Sequence, residues 1–291
     1  MTAIHSILMV GGTHGNELTG VRIIEQWPAL ASQFTRDGLD ISPLMANQRA
    51  VDQRVRFVEE DLNRQFVDNK ECSPASSNHE AMLAASIKMQ FGAGTQQQPD
   101  LVIDIHNTTS HMGATLICVD DDLFNQQLAR FVKNNLPNTN ILLENEKTVS
   151  EHPYLCTLGK KGIMIEMGAQ PQGVCRADLM RDSIDLLNTI LDFCQIWNSD
   201  SVAELPPCET YQFVENISFP LDDRGHVAAM VHEHLQDRDF CSLQNGEPIF
   251  RAFDGSTIYW QGENAVYPHF INEAAYQGQH VAFATARRIL W

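Results

Sequence analysis

His14 and Glu17 place an imidazole and a carboxylate three positions apart, a pairing that can bind a metal ion. They belong to the segment Gly11-Gly-Thr-His-Gly-Asn-Glu17, which directly follows the apolar run 7–10. One nitrogen and one oxygen ligand at this spacing can reach a single Zn²⁺, but a catalytic zinc takes about three protein ligands and keeps one position for water. A surface turn is the ordinary alternative for an isolated His-x-x-Glu pair. The pair therefore calls for a third ligand from elsewhere in the chain.

His106 has the same sequence setting, because it lies where an apolar strand gives way to small polar residues in Leu101-Val-Ile-Asp-Ile-His-Asn-Thr-Thr109. Two apolar strands that each end at a potential metal-binding histidine favour a single shared metal site. Asp104 precedes His106 by two residues, so strand alternation puts both side chains on one face. There the carboxylate could orient a ligand histidine from the second coordination shell.

Glu166 is a candidate general base. It follows an apolar run in Gly162-Ile-Met-Ile-Glu-Met-Gly168, which predicts a carboxylate at a strand end beside the proposed metal. A carboxylate there can take a proton from an attacking water and pass it to a leaving amine. A paired core carboxylate or a fourth metal ligand are the alternatives.

Asp61-Leu-Asn-Arg64 offers a forked guanidinium beside an amide, the combination expected where a planar carboxylate must be bound. Arg56, eight positions earlier than Arg64, could supply a second cation to the same pocket. A solvated helix N-terminus that begins at Asp61 is an equally good alternative.

These residues must be positioned by an α/β fold, because residues 1–200 alternate between apolar strand-like runs and helical stretches. The pattern predicts a largely parallel sheet whose strand-to-helix turns face a ligand crevice. Strands are predicted at 4–10, 41–46, 101–105, 114–118, 140–143 and 162–167, and helices at 17–30, 80–89, 122–135 and 178–197.

A polar and then proline-rich segment at 198–207 marks a break in the chain. Short β-type runs separated by Asp, Gly, Asn and Pro follow it. We expect a catalytic α/β domain over residues 1–204 and a smaller antiparallel β domain over 205–291. The six short strands of the second domain are predicted at 211–217, 226–232, 248–252, 257–260, 266–271 and 280–290.

Composition restricts the class of function. The formal net charge of −17 argues against a nucleic acid or an anionic membrane as partner, since either normally needs a basic face. No apolar run is long enough to span a bilayer and the N-terminus lacks a signal-peptide pattern, so a cytoplasmic protein is expected. Seven scattered cysteines without a Cys-x-x-Cys pair suit reduced thiols. A small-molecule substrate is the expected partner, and a homo-oligomer remains an open alternative.

Taken together, the motifs resemble the aspartoacylase family, in the family's order and across almost the whole chain. The segments that carry the resemblance are Gly11-Gly-Thr-His-Gly-Asn-Glu17, Asp61-Leu-Asn-Arg64, Asp104-Ile-His-Asn-Thr-Thr109, Ile165-Glu-Met-Gly-Ala-Gln-Pro-Gln-Gly173 and Val266-Tyr-Pro-His-Phe-Ile-Asn-Glu-Ala-Ala-Tyr276. Any one of them alone is weak, whereas their joint occurrence is specific.

The resemblance implies a zinc carboxypeptidase-like α/β fold, with a mixed, largely parallel sheet flanked by helices and a C-terminal β domain that caps the active site. It also implies zinc-dependent hydrolysis of the amide bond of N-acyl-L-amino acids. His14, Glu17 and His106 would bind one zinc ion per chain, and Glu166 would act as general base and acid. Ligand type alone also admits cobalt or manganese.

The resemblance further assigns the substrate contacts. Arg56 would polarise the acyl carbonyl and stabilise the oxyanion, while Asn63 and Arg64 would hold the α-carboxylate. Tyr276, from the C-terminal domain, would close on the substrate. The residue types alone indicate the metal site and the anion-binding pair but not Tyr276.

One departure bears on specificity. Enzymes of this family that prefer N-acetyl-L-aspartate carry an arginine ten residues before the catalytic glutamate, and Cys156 stands there in this chain. Tyr154, Lys160 or Lys161 are the candidates to replace it. The segment 159–168 resembles instead the type III aminoacylases, which act on N-acetylated aromatic amino acids and mercapturates. Without a cation in the pocket, we expect apolar, aromatic or thioether side chains to be preferred over aspartate.

Two other functions compete with an N-acyl amino acid amidohydrolase. A metallocarboxypeptidase that cuts peptide C-termini would need a cleft open to long substrates, which a capping domain disfavours. A non-enzymatic zinc-binding protein would leave Glu166 and the arginines without a joint purpose.

Overall fold

Residues 2–67 and 78–291 are described by a computed structural model, in which twelve strands and six α-helices alternate. The strands are β1 (Ser6–Gly11), β2 (Asp40–Met45), β3 (Leu101–Asn107), β4 (Gly113–Cys118), β5 (Asn140–Leu143), β6 (Lys161–Gly168), β7 (Glu209–Ser218), β8 (Ala229–Val231), β9 (Pro248–Ala252), β10 (Thr257–Tyr259), β11 (Tyr267–His269) and β12 (Val281–Leu290). The helices are α1 (Leu18–Glu25), α2 (Trp27–Phe34), α3 (Gln48–Gln53), α4 (His79–Phe91), α5 (Leu123–Asn135) and α6 (Ala177–Asn198). Short 3-10 helices span Leu62–Arg64, Val149–Glu151, Leu155–Leu158 and Ala274–Gln279.

Nine of these strands form one mixed, largely parallel sheet in the order β11-β12-β7-β5-β4-β6-β3-β1-β2. β2, β1, β3 and β6 run parallel to one another, β4 pairs antiparallel with β6, and β5 runs parallel to β4 and to β7. β12 and β11 continue the sheet in antiparallel pairing. β8, β9 and β10 form a separate three-stranded antiparallel sheet. The predicted fold class is confirmed.

The two faces of the large sheet carry separate hydrophobic cores because side chains alternate along each strand. On β6, Ile163 and Ile165 join the core under α2, α5 and α6, whereas Met164 faces the core that includes α4. Each fully buried aliphatic side chain of this kind contributes about 1.5–3 kcal/mol. Glu166 lies on the same face as Met164, so the polar residues of the candidate site lie on that side of the sheet.

Each of the six strands predicted in the first 200 residues is present, with ends shifted by a few residues at most. The helix predicted over 17–30 is instead two helices that meet at Gln26. Pro28 lies in the first turn of α2, where its missing N–H costs nothing, but it cannot continue a helix that arrives from α1. The turn at Gln26 follows from that proline.

Only part of the C-terminal segment forms a separate sheet, because among its described strands β8, β9 and β10 pair with one another whereas the other three join the main sheet. β7 pairs in parallel with β5, and through β7 the strands β12 and β11 extend the main sheet. The 3-10 helix Ala274–Gln279 lies between β11 and β12. This arrangement brings Tyr276 to the cavity that His106 of β3 and Glu166 of β6 also line.

Six cysteines of the described residues are free thiols, and four of them are buried. The seventh, Cys72, lies outside the described residues, so the prediction of reduced thiols is untested there. Among the described helices, none combines the length and the apolar character needed to cross a bilayer.

Candidate metal and substrate site

The site forms where β1, β3 and β6 end side by side. β3 and β6 are paired in parallel so that His106 lies opposite Glu166, and β1 pairs with β3 on its other side. Carboxyl ends of parallel strands meet at one edge of a sheet, which is where ligands bind in α/β folds. The two strand-end signals in the sequence are therefore neighbours in space.

His14, Glu17 and His106 converge on one point and are all buried. Glu17 lies between the imidazoles, with its Oε1 2.8 Å from His14 Nδ1 and its Oε2 3.0 Å from His106 Nδ1. The two Nδ1 atoms are 3.2 Å apart. A tetrahedral zinc with bonds of about 2.1 Å separates its ligand atoms by roughly 3.4 Å. The donor set and its spacing fit such an ion.

The second nitrogen of each imidazole faces another carboxylate. His14 Nε2 lies 2.9 Å from Asp61 Oδ1, and His106 Nε2 lies 2.9 Å from Asp104 Oδ2. Thr13 donates a hydrogen bond from its hydroxyl to the other oxygen of Asp104 at 2.8 Å. Carboxylates in this position orient metal-binding histidines and direct the unprotonated nitrogen to the metal. The orienting residue anticipated for His106 is in contact with it, and Asp61 is its counterpart for His14.

The turn that carries His14 depends on glycine. Gly12 adopts a φ of 71°, a conformation that costs little only without a Cβ. A Cβ on Gly15 would lie 2.1 Å from the backbone carbon of Ala50. The N–H of Gly15 donates to the carbonyl of Arg56 at 3.2 Å. The two glycines thus allow the turn that carries His14 to pack closely against the segment that carries Arg56.

Glu80 fixes the loop that leads to Asp61. Its buried carboxylate accepts the backbone N–H groups of Val58, Glu59 and Glu60 at 2.6, 3.1 and 3.1 Å. A buried charge satisfied by three backbone donors gives this loop one conformation. The residues on both sides of it, Arg56 and Asp61, therefore have defined positions.

Arg56 bridges the carboxylates of Glu17 and Asp61. Its Nη1 donates to Glu17 Oε1 at 2.8 Å, and its Nη2 and Nε donate to Asp61 Oδ2 at 3.1 and 3.3 Å. These contacts use three of the five guanidinium N–H groups. Among the described residues, two N–H groups remain for a group in the cavity.

The surroundings of the His14, Glu17 and His106 cluster shift the pKa values of two carboxylates in opposite directions. Burial disfavours ionised Glu17, but the neighbouring imidazoles of His14 and His106 hold its pKa well below the usual value. Burial raises the pKa of Glu166 well above the usual value, and the carboxylates of Glu17 and Glu273 raise it further. Paired groups with pKa values driven apart are typical of a site where one carboxylate stays charged and the other exchanges protons.

Asn63 and Arg64 line the same cavity as the cluster. The Asn63 Oδ1 accepts the backbone N–H of Leu155 at 2.7 Å, so its amide NH₂ is directed to the cavity side, where Met164 Sδ is 4.0 Å away. The guanidinium of Arg64 lies over the Tyr154 ring, 5.4 Å from its centroid. The pair offers two kinds of donor on one wall.

Tyr276 enters the cavity from the 3-10 helix between β11 and β12. Its ring contacts Phe270 edge to face, with centroids 5.4 Å apart. Burial raises the pKa of its hydroxyl above the usual value, an effect opposed by the charge of Arg64. A protonated hydroxyl in this place can donate a hydrogen bond to an anionic ligand.

Of the three residues proposed to replace the missing specificity arginine, one lines the cavity. Tyr154 lines the cavity, whereas the amines of Lys160 and Lys161 pair with Asp100 and Asp122 away from it. Cys156 is fully buried in the hydrophobic core and lies outside the cavity wall.

Three carboxylates of the site were not anticipated as partners. Asp61 contacts His14, Glu273 binds the backbone beside His106, and Glu144 lines the cavity next to Tyr154. Glu144 follows the apolar run of β5 as Glu166 ends that of β6, whereas Asp61 and Glu273 belong to segments that carry the family resemblance but do not indicate these contacts.

Comparison with known proteins matches both halves of the chain. Residues 3–194 match the family model described as the succinylglutamate desuccinylase/aspartoacylase catalytic domain, and residues 206–288 match the AstE/AspA barrel-sandwich hybrid domain. The chain is 38% identical over 289 residues to an aspartoacylase of Danio rerio, covering 97% of this chain and 91% of that protein. It is 36% identical over 293 residues to an N-acyl-aromatic-L-amino acid amidohydrolase (carboxylate-forming) of Xenopus tropicalis, covering 98% and 94%.

A solved structure agrees with these matches. The crystal structure of murine aminoacylase 3 superposes with a TM-score of 0.90 at 34% identity, over 99% of this chain and 97% of that one. The resemblance drawn from the motifs is confirmed at the level of sequence and of fold.

Proposed function

Because the chain belongs to the succinylglutamate desuccinylase/aspartoacylase family, we propose that it hydrolyses the amide bond of N-acyl-L-amino acids with one bound zinc ion. Aspartoacylase and N-acyl-aromatic amino acid amidohydrolase are the activities named for its relatives. The observation that carries the proposal is the meeting of a His, Glu, His donor set with a buried carboxylate and an Asn-Arg pair in one cavity. Zinc would be held by His14, Glu17 and His106, and it would supply a Lewis acid that also lowers the pKa of a water molecule.

Glu166 is proposed as the proton carrier of the reaction. The overall change breaks the amide C–N bond, joins the water oxygen to the acyl carbon and leaves a carboxylate and an amine. Glu166 would take a proton from the attacking water and deliver it to the leaving nitrogen. Its location opposite His106 in the sheet register and its raised pKa support this role.

Arg56 is proposed to bind the acyl carbonyl oxygen. Negative charge develops on this oxygen as water adds, and a fixed guanidinium stabilises that charge more than it stabilises the neutral carbonyl. The bridging contacts to Glu17 and Asp61 hold Arg56 before substrate arrives, so no reorganisation is needed. The two remaining N–H groups are the proposed donors.

Asn63 and Arg64 are proposed to bind the α-carboxylate, and Tyr276 to close the pocket over it. The closely spaced amide and guanidinium donors on one wall support the first assignment. For the second, Tyr276 lines the cavity from a segment that follows β11, in the part of the chain we assign to a C-terminal domain over 205–291. Residues 1–204 would form the catalytic domain.

The activity is tested with a panel of N-acetyl-L-amino acids and a peptide with a free C-terminus, each assayed with zinc and after treatment with a chelator. We expect hydrolysis of the N-acetyl amino acids only, and only with metal. Cleavage of the peptide would favour a metallocarboxypeptidase instead. Stoichiometric zinc binding without turnover of either substrate class would identify a non-enzymatic zinc protein.

A further inference from the structure

Glu144 places a carboxyl group in the substrate cavity that the proposed reaction does not use. It follows β5 directly, it is 9% exposed, and it lines the cavity together with Arg64, Tyr154 and Tyr276. The Tyr154 hydroxyl donates to Glu144 Oε2 at 3.0 Å. Among the described residues this is the one hydrogen bond to the carboxyl group, so Oε1 remains able to accept another.

The position of Glu144 relative to Arg64 indicates which part of a substrate would meet it. The Arg64 guanidinium lies against the Tyr154 ring, and the same tyrosine holds Glu144. If Arg64 binds the α-carboxylate, as the proposed function assumes, the group nearest to Glu144 is the side chain on the same α-carbon. The acyl group belongs at the opposite end, near Arg56 and the metal ligands.

Among the described residues, Arg64 is the one cation at the place where the inner cavity meets a second, outer cavity. This second cavity continues outward from Arg64, Glu144, Tyr154 and Tyr276, with a volume of about 470 Å³. Its charged lining consists of Arg64, Lys147, Glu144, Glu146 and Glu215. Lys147 is exposed at the mouth, so the group that a short substrate side chain would contact is the carboxyl of Glu144.

We propose that Glu144, held by Tyr154, determines substrate specificity by excluding a second carboxylate and by accepting a hydrogen bond from the substrate side chain. Two carboxylates at contact distance repel each other, and a partly desolvated site strengthens that repulsion. A side-chain amide, hydroxyl, ring N–H or ammonium instead donates to the free oxygen. The preferred substrates are N-acyl amino acids with a donor on the side chain, and N-acylaspartate is a poor one.

The matched pair of N-acetyl-L-asparagine and N-acetyl-L-aspartate tests this, because the two differ in charge and donor capacity at nearly equal size. At pH 8 we expect the wild-type zinc enzyme to favour the asparagine derivative in kcat/KM by about tenfold or more. Glu144→Gln retains the size of the side chain and an acceptor for the Tyr154 hydroxyl. It should reduce that preference about tenfold, mainly through a lower KM for N-acetylaspartate.

Glu146→Gln is the charge control, since Glu146 is exposed, lies two residues further on and lines only the outer cavity. An equal effect of Glu146→Gln would mean that the total charge of the mouth sets the preference, and it would overturn the assignment. Calorimetric binding of L-asparagine and L-aspartate to the zinc enzyme gives a second readout that does not require turnover. The ratio of their dissociation constants should change in the same direction.

The outcomes separate this inference from the function on which it rests. If no N-acetyl amino acid is hydrolysed, the proposed function fails. If they are hydrolysed but aspartate is favoured, or Glu144→Gln leaves the ratio unchanged, only the role of Glu144 fails. Should Glu144→Gln not fold, Tyr154→Phe removes the hydroxyl alone, and a preference that it leaves unchanged would equally overturn the role.

Discussion

The Glu273 carboxylate accepts the backbone N–H of Thr109 at 2.7 Å, which ties the C-terminal segment to the end of the strand that bears His106. The side chains of Thr108, Thr109 and Ser110 also donate to this carboxylate. Its other oxygen accepts the N–H of Ala275 at 3.0 Å, at the start of the 3-10 helix that carries Tyr276. One buried carboxylate therefore fixes the proposed lid residue relative to the proposed metal ligand.

Glu273→Gln should lower activity without emptying the metal site. An amide cannot accept all of these donors with the strength of a carboxylate, and the loss should cost about 1.5–3 kcal/mol of stability. We expect KM for N-acetyl amino acids to rise about tenfold, because Tyr276 is no longer held, while metal content measured by elemental analysis stays near that of the wild type. Glu263→Gln, at an exposed glutamate in the same part of the chain, is the control. Equal kinetics in both variants would show that this anchor does not govern the site.

Metal content should separate the proposed metal ligands from the proposed proton carrier. His14→Ala and His106→Ala each remove one donor of the cluster and should leave little bound zinc after dialysis. Glu166→Gln should retain zinc and lose turnover by about 10²–10⁴-fold, since an amide cannot exchange the proton. Elemental analysis and kcat are measured on the same samples. Loss of zinc from Glu166→Gln would make Glu166 a ligand rather than a base.

The sequence predicted that this site forms at the ends of neighbouring strands because its signals are local. An apolar run followed by a polar residue marks the end of β3 at His106 and the end of β6 at Glu166. Parallel pairing then places both residues on one edge. Contacts made by Glu273 could not be predicted in this way, since its partners lie about 160 residues earlier and no local pattern encodes the pairing. By contrast, the break between α1 and α2 at Gln26 can be predicted from Pro28.

Arg64→Lys should weaken substrate binding although it keeps the charge. A lysine ammonium cannot reproduce the forked contact of a guanidinium with a carboxylate, nor its flat contact with the Tyr154 ring. We expect KM to rise about tenfold or more, with a smaller effect on kcat. Arg49→Lys is the matched control, because Arg49 is an exposed arginine of the same segment. Steady-state kinetics that agree for the two variants would place Arg64 outside the binding site.

Lys160→Met should leave substrate preference unchanged. The Lys160 amine pairs with Asp100 at 2.8 Å, and the Asp100 carboxylate also accepts the backbone N–H groups of His5 and Ser6. The Lys160 ammonium therefore pairs with a carboxylate just before the start of β3, and it does not line the cavity. The ratio of kcat/KM for N-acetylaspartate and N-acetylphenylalanine should agree with the wild type within about twofold. A selective loss of N-acetylaspartate hydrolysis would show that the amine reaches the substrate.

Substrate choice should change with pH between about 6 and 8. The pKa of Glu144 is raised to about 7, mainly by burial and also by the nearby Glu146 carboxylate, while the Tyr154 hydroxyl, Arg64 and Lys147 oppose the rise. Above pH 7 the group is charged in the folded protein and repels a substrate carboxylate, whereas below pH 7 it is neutral and can donate a hydrogen bond to one. N-acetylaspartate itself keeps its charge over this range, since aspartate side chains titrate near 4.

Discrimination against N-acetylaspartate relative to N-acetylasparagine should therefore be large at pH 8 and several-fold smaller at pH 6. The comparison uses the ratio of the two kcat/KM values. This ratio cancels the titration of Glu166 and of the proposed metal ligands, because that titration affects both substrates equally. In Glu144→Gln the ratio should not vary with pH, since the titrating group is gone. A pH-dependent ratio that persists in this variant would assign the effect to another group in the cavity and remove the basis for the proposed specificity.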